Sequence, residues 1–245
     1  MTILVADNIA DVGIEALSES GHSIVNEPGL SGEALVDTLR SERPDVLVVR
    51  STKVTPEALD ASPSLALIVR AGAGYDTIDV QGAANRGIFV ANCPGKNSVA
   101  VAELALGLMV SLDRQIPDNV ADARAGQWNK KVYAQAEGLK GRTLGIIGLG
   151  NIGTEVMQRA KAFDLNVIAW SRSLTPEVAE EKMGIGYRES PEAVARDASL
   201  VTLHVASTPE TKHLADRSFF EALPEGAIFI NTTRAAVVDE DALAW

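Results

Sequence analysis

Gly148-Leu149-Gly150-Asn151-Ile152-Gly153 is the stretch whose residue types and spacing speak most directly of chemistry. It follows the apolar run Thr143-Leu144-Gly145-Ile146-Ile147 and precedes a helical pattern over 154–163. That order suits a dinucleotide. The first glycine permits a tight strand-to-helix turn, and the second lets a pyrophosphate approach the backbone. The third lets helix and strand pack closely. At Asn151 and Ile152 the helix N-terminus adds unsatisfied N–H groups and a partial positive charge. An ordinary glycine turn in an α/β protein is the competing reading.

One strand later comes a second cue. Sites for NAD end that strand with Asp or Glu, which binds the ribose 2′-hydroxyl and repels a 2′-phosphate. Here the run 166–170 leads into Ser171-Arg172. A hydroxyl followed by a guanidinium suits a 2′-phosphate, so the expected cofactor is NAD or NADP, with the balance toward NADP. Arg234 follows the apolar run 227–231, at the carboxyl end of an expected strand, where ligands bind in open α/β sheets. Its planar fork suits a carboxylate better than lysine would. A surface salt bridge is the other role open to it. Arg50, Arg70, Lys130 and Lys131 are candidates for holding a substrate phosphate, with solvated surface charge as the alternative for each.

These residues need elements to position them. Apolar runs at 3–6, 23–26, 45–50, 65–70 and 88–91 read as strands, with helical patterns around 9–20, 33–41, 56–60 and 80–86 between them. Such alternation predicts a parallel sheet covered by helices on both faces. A long helix is expected from Asn97 to about Arg124, with an apolar face through Val101, Leu104, Ala105, Leu108 and Leu112 and Ser98 as its cap. Its segment 100–110 is apolar nearly all round, which predicts burial between domains or subunits. A second series follows, with strands at 144–147, 166–170, 200–205 and 227–231 and helices at 152–163, 176–183, 191–197, 212–223 and 239–243. The fold class is therefore α/β, two doubly wound parallel-sheet domains. The first is flavodoxin-like. The second is a dinucleotide (Rossmann) domain read as incomplete, because a doubly wound nucleotide domain normally has six strands and the pattern gives four. Residues 1–96 form the first domain, 97–142 a connection, and 143–245 the second.

Composition narrows the classes. The 245 residues carry a formal charge of −11, which argues against nucleic acid or an anionic membrane as the main partner. No apolar run reaches spanning length. The single cysteine, Cys93, rules out an intrachain disulfide framework and fits a reducing, cytoplasmic compartment.

Beyond the fold class, particular motifs carry a family resemblance. Arg70-Ala71-Gly72-Ala73-Gly74-Tyr75-Asp76-Thr77-Ile78-Asp79 resembles the R-A-G-x-G-x-D-x-(I/V)-D segment of D-2-hydroxyacid dehydrogenases. So do Asn92-Cys93-Pro94-Gly95-Lys96-Asn97-Ser98, Ala102-Glu103-Leu104, the 148–153 turn, Leu203-His204-Val205, Thr208-Pro209-Glu210-Thr211 and Asn231-Thr232-Thr233-Arg234. Order and spacing hold over nearly the whole chain. Within the family, 49–55, 114–117 and 126–131 look most like the 3-phosphoglycerate dehydrogenase branch, with a hydroxypyruvate or glyoxylate reductase as the alternative. A dinucleotide-binding protein without turnover is the reading from another class.

The resemblance implies hydride transfer between NAD(P) and a 2-hydroxy or 2-oxo acid. Arg234 would be the catalytic arginine, and backbone groups of Ala71, Gly72, Ala73 and Gly74 would receive the substrate carboxylate. Val205, Ala206, Thr211, Thr232 and Thr233 would join the cofactor site. The first domain would hold substrate, the long helix would contribute to a homodimer, and the lysine pair would act across its interface. Two positions depart from the family pattern: Ala235 stands where glycine is usual, which requires φ below zero there, and Ala206 where proline is common. The family's glutamate and acid/base histidine would lie beyond Trp245, so the sequence is expected to be C-terminally incomplete. His22, in an early loop or strand, His204, ending a strand, and His213, in a helix, are each read as satisfied structural histidines.

Overall fold

Short β-branched runs, apolar toward both faces, can satisfy their backbone only inside a sheet flanked by helices. The computed structural model describes Met1–Trp245 and resolves it into two compact units, Met1–Asn97 and Ser98–Trp245. In the first, strands β1 (Thr2–Val5), β2 (Ser23–Asn26), β3 (Val46–Val49), β4 (Leu67–Arg70) and β5 (Phe89–Ala91) form one parallel sheet in the order β2-β1-β3-β4-β5. This is the flavodoxin order. Helices α1 (Asp11–Glu19), α2 (Gly32–Glu42), α3 (Pro56–Ala61) and α4 (Val80–Asn85) connect the strands. Leu4, Leu35, Leu39, Leu47 and Ile68 are fully buried at the centre.

The second unit opens with helices α5 (Ser98–Asp113), α6 (Ile116–Arg124) and α7 (Lys130–Tyr133). Strands β6 (Thr143–Ile147), β7 (Asn166–Trp170), β8 (Gly186–Tyr187), β9 (Leu200–Leu203) and β10 (Ile228–Asn231) follow, with helices α8 (Asn151–Ala162), α9 (Pro191–Asp197), α10 (Arg217–Ala222) and α11 (Glu240–Ala244). All strands are parallel, in the order β10-β9-β6-β7-β8. The order reverses between β6 and β9. Such a switch point opens the crevice in which doubly wound folds bind ligands.

Several expectations need correction. The second sheet has five strands where the pattern gave four. The extra one, β8, is only Gly186–Tyr187, too short to show an apolar period. The helix expected over 97–124 is two helices, because Gln115 turns left-handed at φ 49° just before Pro117. A proline ring inside a helix clashes with the carbonyl four residues back, so α5 stops. Ser98 does not cap α5; its hydroxyl is buried without a partner. The α5 face packed in this unit is Ala102, Ala105, Leu106 and Met109, whereas Leu104, Leu108 and Leu112 stand exposed. Helix α10 begins only at Arg217, so His213, at φ 53°, lies in a turn and not in a helix.

Candidate functional site

Strand β6 hands the chain directly to the glycine turn. Gly148 donates its N–H to the Trp170 carbonyl at 2.8 Å, and His204 donates to the Ile147 carbonyl at 2.7 Å. Both neighbours of β6 thus continue their ladders into the loop, which fixes the turn at the switch point. Gly148 needs its glycine twice over, for φ 98° and because a Cβ would lie 2.7 Å from the His204 backbone. A Cβ on Gly153 would lie 2.0 Å from the Gly148 carbonyl oxygen, so the third glycine lets α8 close on the turn.

Gly150 is different. A Cβ there would meet nothing within 4 Å, and no side chain caps the N-terminus of α8 that it starts. Backbone N–H groups therefore face an open surface at the positive end of a 12-residue helix. That is the donor set a pyrophosphate requires. Two buried polar atoms at the same carboxyl edge of the sheet, His204 Nδ1 and Thr232 Oγ1, have no partner in the chain. An orphaned polar atom in such a place fits a site completed by a polar ligand.

His204 is only half satisfied, which corrects the expectation for it. It is 8 % exposed, its Nε2 sits 3.0 Å from the Thr202 hydroxyl, and burial pulls its pKa down to about 4. The imidazole is neutral at pH 7. Val205 and Ala206 continue from it, and the Thr211 hydroxyl bonds the Ala206 carbonyl (2.6 Å) and accepts the Thr208 N–H (2.8 Å). That capping box fixes the loop after β9. Ser171 follows β7 directly, with Arg172 exposed at the tip of a turn closed by the Leu174 N–H on the Ser171 carbonyl (3.0 Å). The Thr208 hydroxyl chiefly, and the Arg172 charge in part, lower the pKa of Glu210.

Arg234 ends the loop after β10 in extended conformation, and its Nη1 donates to the Thr233 carbonyl at 3.1 Å. Ala235 opens a short 3-10 turn, and its φ is not positive, so alanine meets the condition placed on it. Hence 148–153, Ser171, Val205, Thr211 and 232–234 all lie on the carboxyl side of the second sheet.

In the first unit the 70–74 loop leaves β4. Its Gly72 and Ala73 carbonyls accept from the Cys93 N–H (2.9 Å) and the Asn92 amide (2.7 Å). The Arg70 guanidinium folds over Gly72, where a Cβ would collide with Nη1 at 1.5 Å. Arg50 follows β3 and is exposed. Sequence reasoning missed the residue that holds it. The Asp7 carboxylate accepts N–H bonds from Arg50 (2.6 Å), Ser51 (3.0 Å) and Thr52 (2.9 Å). Burial alone would raise the Asp7 pKa, but those donors outweigh it and lower it to about 2. The one available signal was an acid placed directly after an apolar strand. Lys130 and Lys131 lie exposed on α7, which the Asp122 carboxylate ties back to α6 through Asn129 and Tyr133.

The NAD binding domain of D-isomer specific 2-hydroxyacid dehydrogenases matches residues 106–245. The chain belongs to this family. A D-3-phosphoglycerate dehydrogenase of Methanocaldococcus jannaschii is 41 % identical over 242 residues, 98 % of this chain and 45 % of that protein. A hydroxypyruvate reductase of Thermotoga maritima is 42 % identical over 200 residues, 81 % of this chain and 63 % of that protein. The NAD+-bound 3-phosphoglycerate dehydrogenase of Entamoeba histolytica superposes with a TM-score of 0.82 at 28 % identity, covering 99 % of this chain and 75 % of that one. The chain spans about half the length of the phosphoglycerate dehydrogenases it matches, 45 % in two cases.

Proposed function

We propose that the second unit binds a nicotinamide dinucleotide, and that the protein transfers hydride between it and C2 of a small 2-hydroxy or 2-oxo acid. The observation that carries this is the turn at the switch point: open at Gly150, uncapped at α8, and closed tightly at Gly148 and Gly153. When bound, the nicotinamide accepts or supplies the hydride. The backbone of Gly150, Asn151 and Ile152 holds the pyrophosphate, with Val205, Ala206, Thr211, Thr232 and Thr233 along the cofactor. Arg234 takes the substrate carboxylate or polarises the C2 oxygen through its fork. In the first unit, the backbone of the 71–74 loop is the candidate for holding a carboxylate.

The function we favour is that of a 3-phosphoglycerate dehydrogenase, with 1–96 as substrate domain and Arg50, Arg70, Lys130 and Lys131 each a candidate for a phosphate. Similarity to the phosphoglycerate dehydrogenases over 98 % of the chain supports this. The working form is a homodimer in the cytoplasm. Ser171-Arg172 favours NADP over NAD and, with it, a second reading as a hydroxypyruvate or glyoxylate reductase.

Titrating the 245-residue chain with NADH and NADPH, followed by tryptophan fluorescence, tests the cofactor. Saturable binding is expected, tighter for NADPH, with Ser171→Asp reversing the order. Tighter NADH binding by the unmodified chain sinks the NADP preference, and no binding of either sinks the dinucleotide reading. With dinucleotide bound, tighter 3-phosphoglycerate than glyoxylate supports the first substrate, and the reverse supports the reductase.

A further inference from the structure

One carboxamide organises the loop that presents Arg234. Asn231 is the last residue of β10, and its Oδ1 accepts both the Thr233 N–H (2.9 Å) and the Thr233 hydroxyl (2.6 Å). Its Nδ2 donates to the Arg234 carbonyl at 3.0 Å. That carbonyl also receives the Val237 N–H at 3.2 Å, so the carboxamide and the following 3-10 turn converge on a single oxygen. Strand end, Thr233, Arg234 and the turn beyond are thus registered to each other through one side chain.

Only asparagine has this combination at this reach. It offers an acceptor and a donor on one short planar group, whereas aspartate would turn a second oxygen toward the Arg234 carbonyl. The side chain is also local. It bonds nothing outside 231–234, so it adds no contact between distant elements. Its effect falls on where residue 234 starts, and a displacement of an ångström at a substrate-holding group is costly to function.

We propose that Asn231 is a positioning residue for Arg234: its carboxamide sets the 232–234 loop so that the guanidinium meets the anionic group of the substrate. This rests on the reading of Arg234 given above. The test uses the 245-residue chain saturated with whichever of NADH or NADPH it binds, titrated calorimetrically with oxalate as a carboxylate probe. Wild type, Asn231→Ala, Asn231→Asp, Arg234→Lys and the Asn231→Ala/Arg234→Lys double variant are compared.

Asn231→Ala is expected to weaken oxalate about five- to tenfold, the scale of a lost hydrogen bond. Asn231→Asp is expected to weaken it at least as much. In the Arg234→Lys background, Asn231→Ala should add no further loss, because residues acting through one another are not additive. A purely structural asparagine would not show that dependence on Arg234. Equal losses in both backgrounds, or no loss in either, overturn the assignment. So does a dinucleotide-bound wild type that takes no oxalate, a result that leaves the cofactor reading standing. Failure of the cofactor reading itself is seen earlier, in the dinucleotide titration.

Discussion

Asp7 and His204 answer burial in opposite ways, and each gives the fold its own sensitivity to acid. Asp7 stays ionised because three backbone donors hold its pKa at about 2 against an ordinary 3.8. Its contribution to stability is complete above the ordinary value and is lost as the pH falls from about 4 toward 2. His204 has no such compensation, and its pKa lies at about 4 against 6.5. As the pH falls below 6.5 the unfolded chain takes up a proton that the folded chain refuses. Stability therefore drops between pH 6.5 and about 4, with a slope of up to about 1.4 kcal/mol per pH unit. Urea unfolding at pH 7, 5 and 3 separates the two. His204→Gln should flatten the loss between pH 7 and 5 and part of that between pH 5 and 3, while Asp7→Asn should reduce only the loss below pH 5. An unchanged decline above pH 5 in His204→Gln would contradict the account. Neither environment was legible in the sequence. The position of His204 at a strand end could be read, but its pairing with Thr202 and its orphaned Nδ1 depend on what packs over the strand. Arg50 and the 70–74 loop could be picked out as candidates because charge and glycine spacing are local. Asp7 was not, because its partners lie more than 40 residues away in the chain.

Elements built on strong local periodicity were readable, and those that depend on tertiary closure were not. Strand β6, the turn and helix α8 follow from an apolar run, three spaced glycines and an amphipathic pattern. Strand β8 has two residues and exists because β7 offers an edge. The break between α5 and α6 did have a local signal, Pro117, overridden in the reading by the apolar periodicity on either side. The glycine turn also separates fold from binding by position. Gly150 has φ −80° and open space where a Cβ would go. Gly150→Ala should thus leave stability within about 0.5 kcal/mol of wild type, as surface changes do. The same methyl group fills the approach of the pyrophosphate, so dinucleotide affinity should fall at least about tenfold. Gly153→Ala meets the Gly148 backbone at 2.0 Å, and backbone cannot swing aside. A loss of about 1–3 kcal/mol is expected from forcing α8 off the turn, with binding weakened as a consequence. Calorimetric melting beside a dinucleotide titration checks both. Destabilisation of Gly150→Ala comparable to Gly153→Ala would show that the second glycine serves the fold and not a ligand.

At the scale of the whole molecule, the second unit leaves more apolar surface open than its own sheet needs. Leu104, Leu108 and Leu112 recur every fourth residue along α5, and Ile116 and Val120 repeat the spacing on α6. All five are exposed, Leu104 at 55 %, and Trp128 stands 83 % exposed. Spacing by four places such side chains on one side of a helix. The α5 row Leu104, Leu108 and Leu112, with Ile116 and Val120 exposed beyond the left-handed Gln115, exceeds the scattered apolar residues normal on a monomer surface and marks an interaction surface. The opposite side of α5 is already used, through Ala102, Ala105, Leu106 and Met109 in the core with α8. Covering the exposed row would give helix α5 a second buried side, in keeping with a sequence that is apolar nearly all round. A second copy of the chain is the occupant that the two-fold symmetry of most soluble oligomers favours, since one self-complementary patch then covers two exposed rows at once. Light scattering on the 245-residue chain should give twice its 25.9 kDa mass at micromolar concentration. Leu108→Glu places a charge in the middle of the row and should shift the mass to that of a single chain, with the helical circular dichroism retained because residue 108 is not part of the unit's own core. A wild-type chain that runs as a monomer, or a Leu108→Glu variant that still pairs, would assign the row to some other cover.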